Sequence, residues 1–157
     1  MDRAFRTGMS FGLTSAVITT LGLIVGLNAG THSKVVVAGG ILIIAIADAL
    51  SDSLGIHLSE EARRGHTRRS VWISTVSTFL FKFIFALTFL VPILLLELSL
   101  AVKVSIVWGM LLLGSLSYYI AKRENAKPWK VVTEHLVIAL VVIVITNYLG
   151  NWVATLG

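Results

Sequence analysis

The stretch V-V-V-A-G-G-I-L-I-I-A-I-A-D-A-L-S-D-S-L-G-I-H (35–57) decides the fold of this chain. It contains 23 residues, and most of them are valine, isoleucine, leucine, alanine or glycine. An α-helix crosses the roughly 30 Å apolar core of a bilayer with about 20 mainly apolar residues. The stretch therefore predicts a membrane-spanning helix, even though Asp48 and Asp52 lie inside it.

One further apolar run of similar length precedes this stretch, and three follow it. Hydrophobic residues make up 56% of the 157 residues, charged residues only 13%, and the mean hydropathy is +0.89. The run at 9–27 is too long for the apolar part of a cleaved signal peptide. We predict an all-α integral membrane protein with the lipid bilayer as its partner, a single five-helix membrane domain over 1–157, and spans at about 10–28, 35–57, 71–96, 102–121 and 131–153.

The distribution of lysine and arginine predicts the orientation of the spans. Of the 13 lysine and arginine residues, only Lys34 and Lys103 lie on one side of the membrane and Lys82 falls inside the third span. The remaining ten lie on the other side. Basic residues accumulate in cytoplasmic loops, so we expect a cytoplasmic N-terminus and a C-terminus that is outside or in an organelle lumen. The ten residues on the cytoplasmic side are Arg3, Arg6, Arg63, Arg64, Arg68, Arg69, Lys122, Arg123, Lys127 and Lys130.

The composition also argues against several classes of function. The chain has no cysteine, which excludes disulfides and thiolate metal ligands. The sequence pI is 9.9, but the basic residues flank the spans, so they predict topology and not a nucleic-acid partner. No nucleophile–base pair or metal-hydrolase motif is present, so we expect neither an enzyme nor a bound cofactor.

The two aspartates of the second span are the first candidate site. A charged side chain at the bilayer centre costs about 2.5–3.5 kcal/mol on insertion scales, so such residues are seldom passive. Asp48 and Asp52 are four residues apart and share one helix face with Ser51, at depths of roughly 13 and 8 Å. Carboxylate oxygens suit hard or borderline divalent cations. A possible cytoplasmic access path continues through His57, Glu60 and Glu61.

Lys82 offers a structural alternative for the same aspartates. It enters the membrane from the same side and lies at a depth of about 15 Å by the rise of a helix. A Lys82–Asp48 ion pair would neutralise a buried charge and hold the second and third helices together. Asp52 would then be left unmatched and would be the better candidate for a cation or a proton.

Two other patterns leave alternatives open. Gly22, Gly26 and Gly30 are spaced for close helix packing, either within one subunit or across a homodimer. In the connector after the second span, His57 and Glu61 have a spacing usable for a metal. Surface pairing of Glu61 with Arg64 or Arg68 is the favoured explanation, because the arginines would repel a cation.

Two motifs resemble those of a known family. The stretch S-F-G-L-T-S-A-V-I-T-T-L-G-L-I-V-G (10–26) is similar to the first-helix signature of the vacuolar iron transporter family. The stretch A-D-A-L-S-D-S-L-G-I-H-L-S (47–59) resembles that family's second-helix motif, and I-T-N-Y-L-G-N-W-V (145–153) resembles its last helix. The resemblance implies a homodimeric, proton-coupled exporter of ferrous iron or manganese, with its path along the dimer interface. The family's cytoplasmic metal-binding extension is replaced here by a short basic connector.

The polar ligands implied by the resemblance have changed in this chain. The family's first-helix aspartate falls on Ser15, its second-helix methionine on Asp52 and its glutamate on Ile56, while Asp48 replaces a glycine. A carboxylate in place of a thioether favours harder ions such as Mn²⁺, Mg²⁺ or Ca²⁺. We expect Asp48 and Asp52 to bind the cation or a proton, with Lys82 as charge partner and oxygen donors at Ser15, Thr19 and Ser51.

The expected function is therefore transport of a divalent metal cation, Fe²⁺ or Mn²⁺ as the resemblance implies, by proton-coupled export through a homodimer interface. Two alternatives remain. One is a non-transporting membrane module held by a structural Lys82–Asp48 ion pair, and the other is a transporter of protons or monovalent cations. The membrane would be the plasma membrane in a prokaryote and an organelle membrane in a eukaryote.

Overall fold

A computed structural model describes residues 3–63 and 65–156 of the chain. Within these ranges all regular structure is helical. The six helices are α1 (Arg3–Thr31), α2 (Lys34–Glu61), α3 (Arg68–Thr88), α4 (Leu90–Leu95), α5 (Leu98–Arg123) and α6 (Pro128–Ala154).

Five segments of the described chain are long and apolar enough to cross a membrane, since α3 and α4 together form one of them. Their mean hydropathies lie between 1.8 and 2.3. Large apolar side chains such as Ile43, Leu111 and Val144 are exposed on the outer faces of the helices, which is expected where lipid is the solvent. The predicted all-α fold is confirmed, with five segments of spanning length and apolarity, and the helices extend beyond the predicted spans at most ends.

The third span is broken near its end into α3 and α4. Proline at position 92 has no N–H for the carbonyl of Thr88, and its ring crowds that carbonyl. The helix accordingly ends at Thr88, and the N–H of Phe89 donates back to the carbonyl of Ala86 at 3.2 Å. The hydroxyl of Thr88 accepts a hydrogen bond from Trp108 of α5 at 3.0 Å, which ties the break to the neighbouring helix.

Helix α1 is the centre of the bundle. It packs against α2, α3, α5 and α6, and Ala16, Val17 and Ile24 are fully buried along it. The core continues into Ile41 of α2 and Leu113 of α5. Because α1 contacts every other long helix, its small and polar residues decide where the neighbours can approach.

Most of the basic residues gather at one end of the bundle, which we call the basic end. It is formed by the start of α1, the end of α2, the start of α3, the end of α5 and the start of α6. Trp72, Tyr119 and Trp129 are exposed there, and Tyr148 and Trp152 are exposed towards the opposite end. Exposed aromatic residues near both ends are typical of the two membrane–water interfaces.

Candidate ion site between helices α1, α2 and α3

Lys82 lies where α1, α2 and α3 meet. It is on α3, and its side chain is only 2% exposed, although it is a residue type that is almost never buried without a partner. Its partners come from the two other helices, with Ser15 on α1 and Asp48 and Asp52 on α2. The lysine therefore joins three helices through one ammonium group.

The ammonium group of Lys82 contacts both carboxylates. Its Nζ lies 2.6 Å from Oδ2 of Asp48, and it also donates a hydrogen bond to Oδ2 of Asp52. Nζ donates to the hydroxyl of Ser15 at 2.8 Å, and that hydroxyl donates to Oδ2 of Asp52 at 2.6 Å. The expected Lys82–Asp48 pair is present, but the expectation that it would leave Asp52 unmatched is wrong, because a long side chain reaches both aspartates on one helix face.

The outer sides of the two carboxylates remain open. The side chains of Asp48 and Asp52 are 31% and 22% exposed, and both are held through Oδ2. Within the described residues, no hydrogen bond reaches Oδ1 of either carboxylate. The ammonium group is therefore enclosed, while both carboxylates are partly exposed at the surface of the single chain.

The other two expected oxygen donors lie next to this group. Ser51 precedes Asp52 on the same face of α2 and is exposed. The Thr19 hydroxyl donates to the backbone carbonyl of Ser15 at 2.9 Å and is also exposed. Among the described residues, neither hydroxyl forms a hydrogen bond with Lys82 or with an aspartate, so the structure does not bring them into the ion-pair group.

Gly8 and Gly12 allow α1 and α3 to approach each other closely, and the sequence analysis did not identify them as functional residues. A Cβ atom at Gly12 would lie 2.6 Å from the carbonyl oxygen of Thr78 and 3.2 Å from the backbone nitrogen of Lys82. A Cβ at Gly8 would lie 2.7 Å from Cβ of Ser77 and would also collide with the carbonyl of Ser74. Their four-residue spacing is the sequence pattern that could have predicted this close packing of two helices.

The expected access path of His57, Glu60 and Glu61 is brought together only in part, since His57 and Glu61 line one cavity that Glu60 does not line. Glu60 is 3% exposed and turned inward, with its carboxylate 2.9 Å from Nδ1 of His66 and 3.3 Å from Arg63. His57 is turned to α3, where Nδ1 lies 3.0 Å from the hydroxyl of Thr75. Glu61 is exposed, and one of its two proposed surface partners, Arg64, lies outside the described residues.

The glycines at 22, 26 and 30 face α6 of the same chain. A Cβ at Gly22 would lie 2.9 Å from Val142, and one at Gly30 would lie 3.2 Å from the carbonyl oxygen of Gly150. A Cβ at Gly150 would in turn collide with the carbonyl oxygen of Gly26 and lie 2.9 Å from Cβ of Ala29. The contact that this spacing makes is helix packing within one chain.

The described residues contain no group of three histidine, aspartate or glutamate side chains close enough to hold a metal ion. The two aspartates are therefore all that one copy of the described chain offers as anionic ligands at this site. No protein-family model matches the chain, and no curated protein matches it significantly in sequence.

Proposed function

We propose that this protein transports a divalent cation across the membrane in exchange for protons, with Lys82 as an internal competitor for the two aspartates. The observation that carries the proposal is the contact of one enclosed ammonium group with two carboxylates whose outer oxygens are open. A position that attracts an ammonium group between two carboxylates is also favourable for another cation. Carboxylate ligands favour hard or borderline divalent cations such as Mn²⁺, Mg²⁺ or Ca²⁺, while Fe²⁺ or Mn²⁺ is what the resemblance in the sequence implies.

Charge balance supports coupling to protons. Two carboxylates and one ammonium group carry a net charge of −1, and an uncompensated charge at this depth is costly. One shared proton makes the group neutral. The group made of one divalent cation and two ionised carboxylates also has no net charge, provided that Lys82 withdraws as the uncharged amine. Loading one cation would therefore release two protons, one from an aspartate and one from Lys82.

We propose that a second copy of the chain packs against the exposed side of Asp48 and Asp52. Ser51, Thr19 and the outer carboxylate oxygens would otherwise face lipid, which cannot satisfy polar groups. Two copies related by a two-fold axis would bring four carboxylates together and supply the ligands that one copy lacks. We place the basic end in the cytoplasm, following the lysine and arginine distribution, so that transport is export.

Transport by single aspartate variants tests the proposal. D48N and D52N each leave one carboxylate paired with Lys82, so we expect both to fold, but each removes the exchangeable aspartate proton and one cation ligand. In proteoliposomes with an internal pH dye, the wild type should move Mn²⁺ or Fe²⁺ against protons, and both variants should lose at least about 90% of that flux. E97Q, the same chemical change at the exposed residue before α5, is the matched control and should transport normally.

Three results would contradict the proposal. Unchanged divalent flux in both folded variants would remove the aspartates from the path. Dissipation of a pH gradient without any divalent cation would indicate a transporter of protons or monovalent cations. Absence of every flux in the wild type would favour the structural module, whose support is that Lys82 is enclosed and joins three helices.

Cross-linking tests the proposed packing of a second copy. The native chain has no cysteine, so a single introduced cysteine reports on its own position only. We expect S51C to form a disulfide-linked dimer in membranes under mild oxidation, because a residue near a two-fold axis meets its own copy. I138C is the control, since Ile138 is exposed on α6 at a similar depth from the basic end, roughly 15 Å by helix rise. Equal cross-linking of both variants would contradict the assigned face.

A further inference from the structure

A cavity rich in arginine lies at the basic end, away from the aspartates. It has a volume of about 240 Å³ and lies between the first turns of α1 and the last turn of α5. Three basic residues, Arg3, Arg6 and Arg123, line the cavity. Among the described residues that line it, one is acidic, Glu124. The lining therefore carries a net positive charge.

The arginines of this cavity are not neutralised by the rest of the described chain. None of the three forms an ion pair with a described carboxylate, since the ion pairs found there involve Arg63, His66 and Lys82. Nε of Arg6 is buried and has no hydrogen-bond partner among the described residues. A buried donor on a charged group is normally satisfied, which indicates a missing acceptor.

Neighbouring residues hold the third arginine and add donors. The guanidinium of Arg123 lies over the ring of Tyr119, 5.0 Å from its centroid, a position typical of a cation–π interaction. Ser10, which carries a hydroxyl group, also lines the cavity. Guanidinium groups present paired donors that match the oxygens of a phosphate group.

The depth of the cavity fits a lipid headgroup. Tyr119 is exposed one turn before Arg123, and Trp129 is exposed at the start of α6 at the same end of the bundle. Exposed tyrosine and tryptophan mark the level of the headgroups. Met9 and Ile120 form an apolar part of the wall, where a glycerol backbone and acyl chain could pack. Basic pockets between membrane helices bind anionic headgroups in this way.

We propose that this cavity binds the phosphate group of an anionic phospholipid. The shared chemistry is a phosphate held by Arg6, Arg123 and Arg3, and a free phosphate ion is the other possible source of it. This proposal does not depend on transport or on the aspartate site, so it can fail or succeed independently of the proposed function.

Native mass spectrometry of the purified full chain tests the proposal. Two probes, dioleoyl phosphatidylglycerol and inorganic phosphate, are each titrated against the wild type and against R6Q/R123Q, with dioleoyl phosphatidylcholine as the zwitterionic control. We expect tighter retention of phosphatidylglycerol by the wild type and at least roughly tenfold weaker retention by the variant. R68Q/R69Q is the matched control, since it removes the same charge from exposed arginines at the same end, and it should change retention less than about twofold.

Each outcome decides the question. Retention of phosphatidylglycerol that is lost only in R6Q/R123Q supports a lipid site. Binding of inorganic phosphate, with no preference for the anionic lipid, supports the phosphate chemistry but assigns the free ion as its source. Equal losses in R6Q/R123Q and R68Q/R69Q, or no binding of either probe, overturn the proposal. If R6Q/R123Q does not fold, R6K/R123K replaces it, and loss of the paired donors should weaken retention several-fold.

Discussion

Replacing Lys82 by methionine is expected to lower the free energy of unfolding by about 3–5 kcal/mol, because it leaves two carboxylates without their cation. Methionine has a similar length, so the main loss is the ammonium group and its contacts with Ser15, Asp48 and Asp52. The carboxylates are partly exposed and can take up protons, which places the expected loss towards the lower end of that range. Unfolding in mixed detergent micelles, followed by tryptophan fluorescence, measures it.

Removing all the charges of the site together should restore most of that stability. In the triple variant K82M/D48N/D52N no ion remains to be neutralised, and replacing a whole buried ion pair is often neutral or stabilising. The matched comparison is K82M alone, which differs only in the two carboxylates. A triple variant as unstable as K82M would mean that Lys82 acts through packing, and the charge argument for the site would then be wrong.

The same variants separate a structural role of the ion pair from a role in transport. A purely structural clasp predicts that the triple variant recovers both its stability and any activity of the protein. The proposed exchange mechanism predicts recovery of stability without recovery of transport, because the cation ligands and both exchangeable protons are gone. A stable triple variant with full divalent flux would therefore contradict the proposed function.

The sequence was sufficient to predict the membrane spans but not the pairing inside them. Runs of about 20 apolar residues determine where a chain can cross a bilayer, and all five predicted spans fall on helical segments of that length, the third of them divided into α3 and α4. The break at residues 88–90 was not predicted, although Pro92 supplies the physical reason. Span prediction depends on composition over a long window, whereas a kink depends on one residue.

The candidate site shows the same limit. Helix periodicity placed Asp48 and Asp52 on one face, and depth along the helices placed Lys82 near them. Helix periodicity and depth do not determine how far α3 approaches α1, because that distance depends on Gly8 and Gly12. That approach brings Lys82 within reach of Ser15 and both aspartates. The contacts of Lys82 with both aspartates are therefore determined by the packing of helices that are distant in sequence, which the sequence pattern does not reveal.

The spacing of Gly22, Gly26 and Gly30 illustrates why a motif alone leaves alternatives open. Small residues four apart indicate that some helix comes close, but they carry no information on whether that helix belongs to the same chain. Here α6 occupies that face, with Gly150 against Gly26 and Gly30. If a second copy covers part of α1, the face around Ser15 and Thr19 remains available for it.

Substitution of Gly12 by alanine is expected to destabilise the bundle by about 1–3 kcal/mol and to disturb the ion site. The added methyl group would lie 2.6 Å from the backbone carbonyl of Thr78, which cannot move aside as a side chain can. Helix α3 must shift, and Lys82 shifts with it, since its backbone nitrogen would lie 3.2 Å from the same methyl group. Divalent-cation flux in G12A should therefore fall together with stability.

The control for G12A is G114A, the same substitution on α5. A Cβ at Gly114 has no neighbour within 4 Å among the described residues, so only the backbone effect remains. Alanine is favoured over glycine inside a helix by up to about 1 kcal/mol, so G114A should be as stable as the wild type or slightly more stable. Unfolding in mixed micelles compares the two variants directly. If G12A were as stable as G114A and transported normally, the close contact of α1 and α3 could not be what positions Lys82 between the two aspartates.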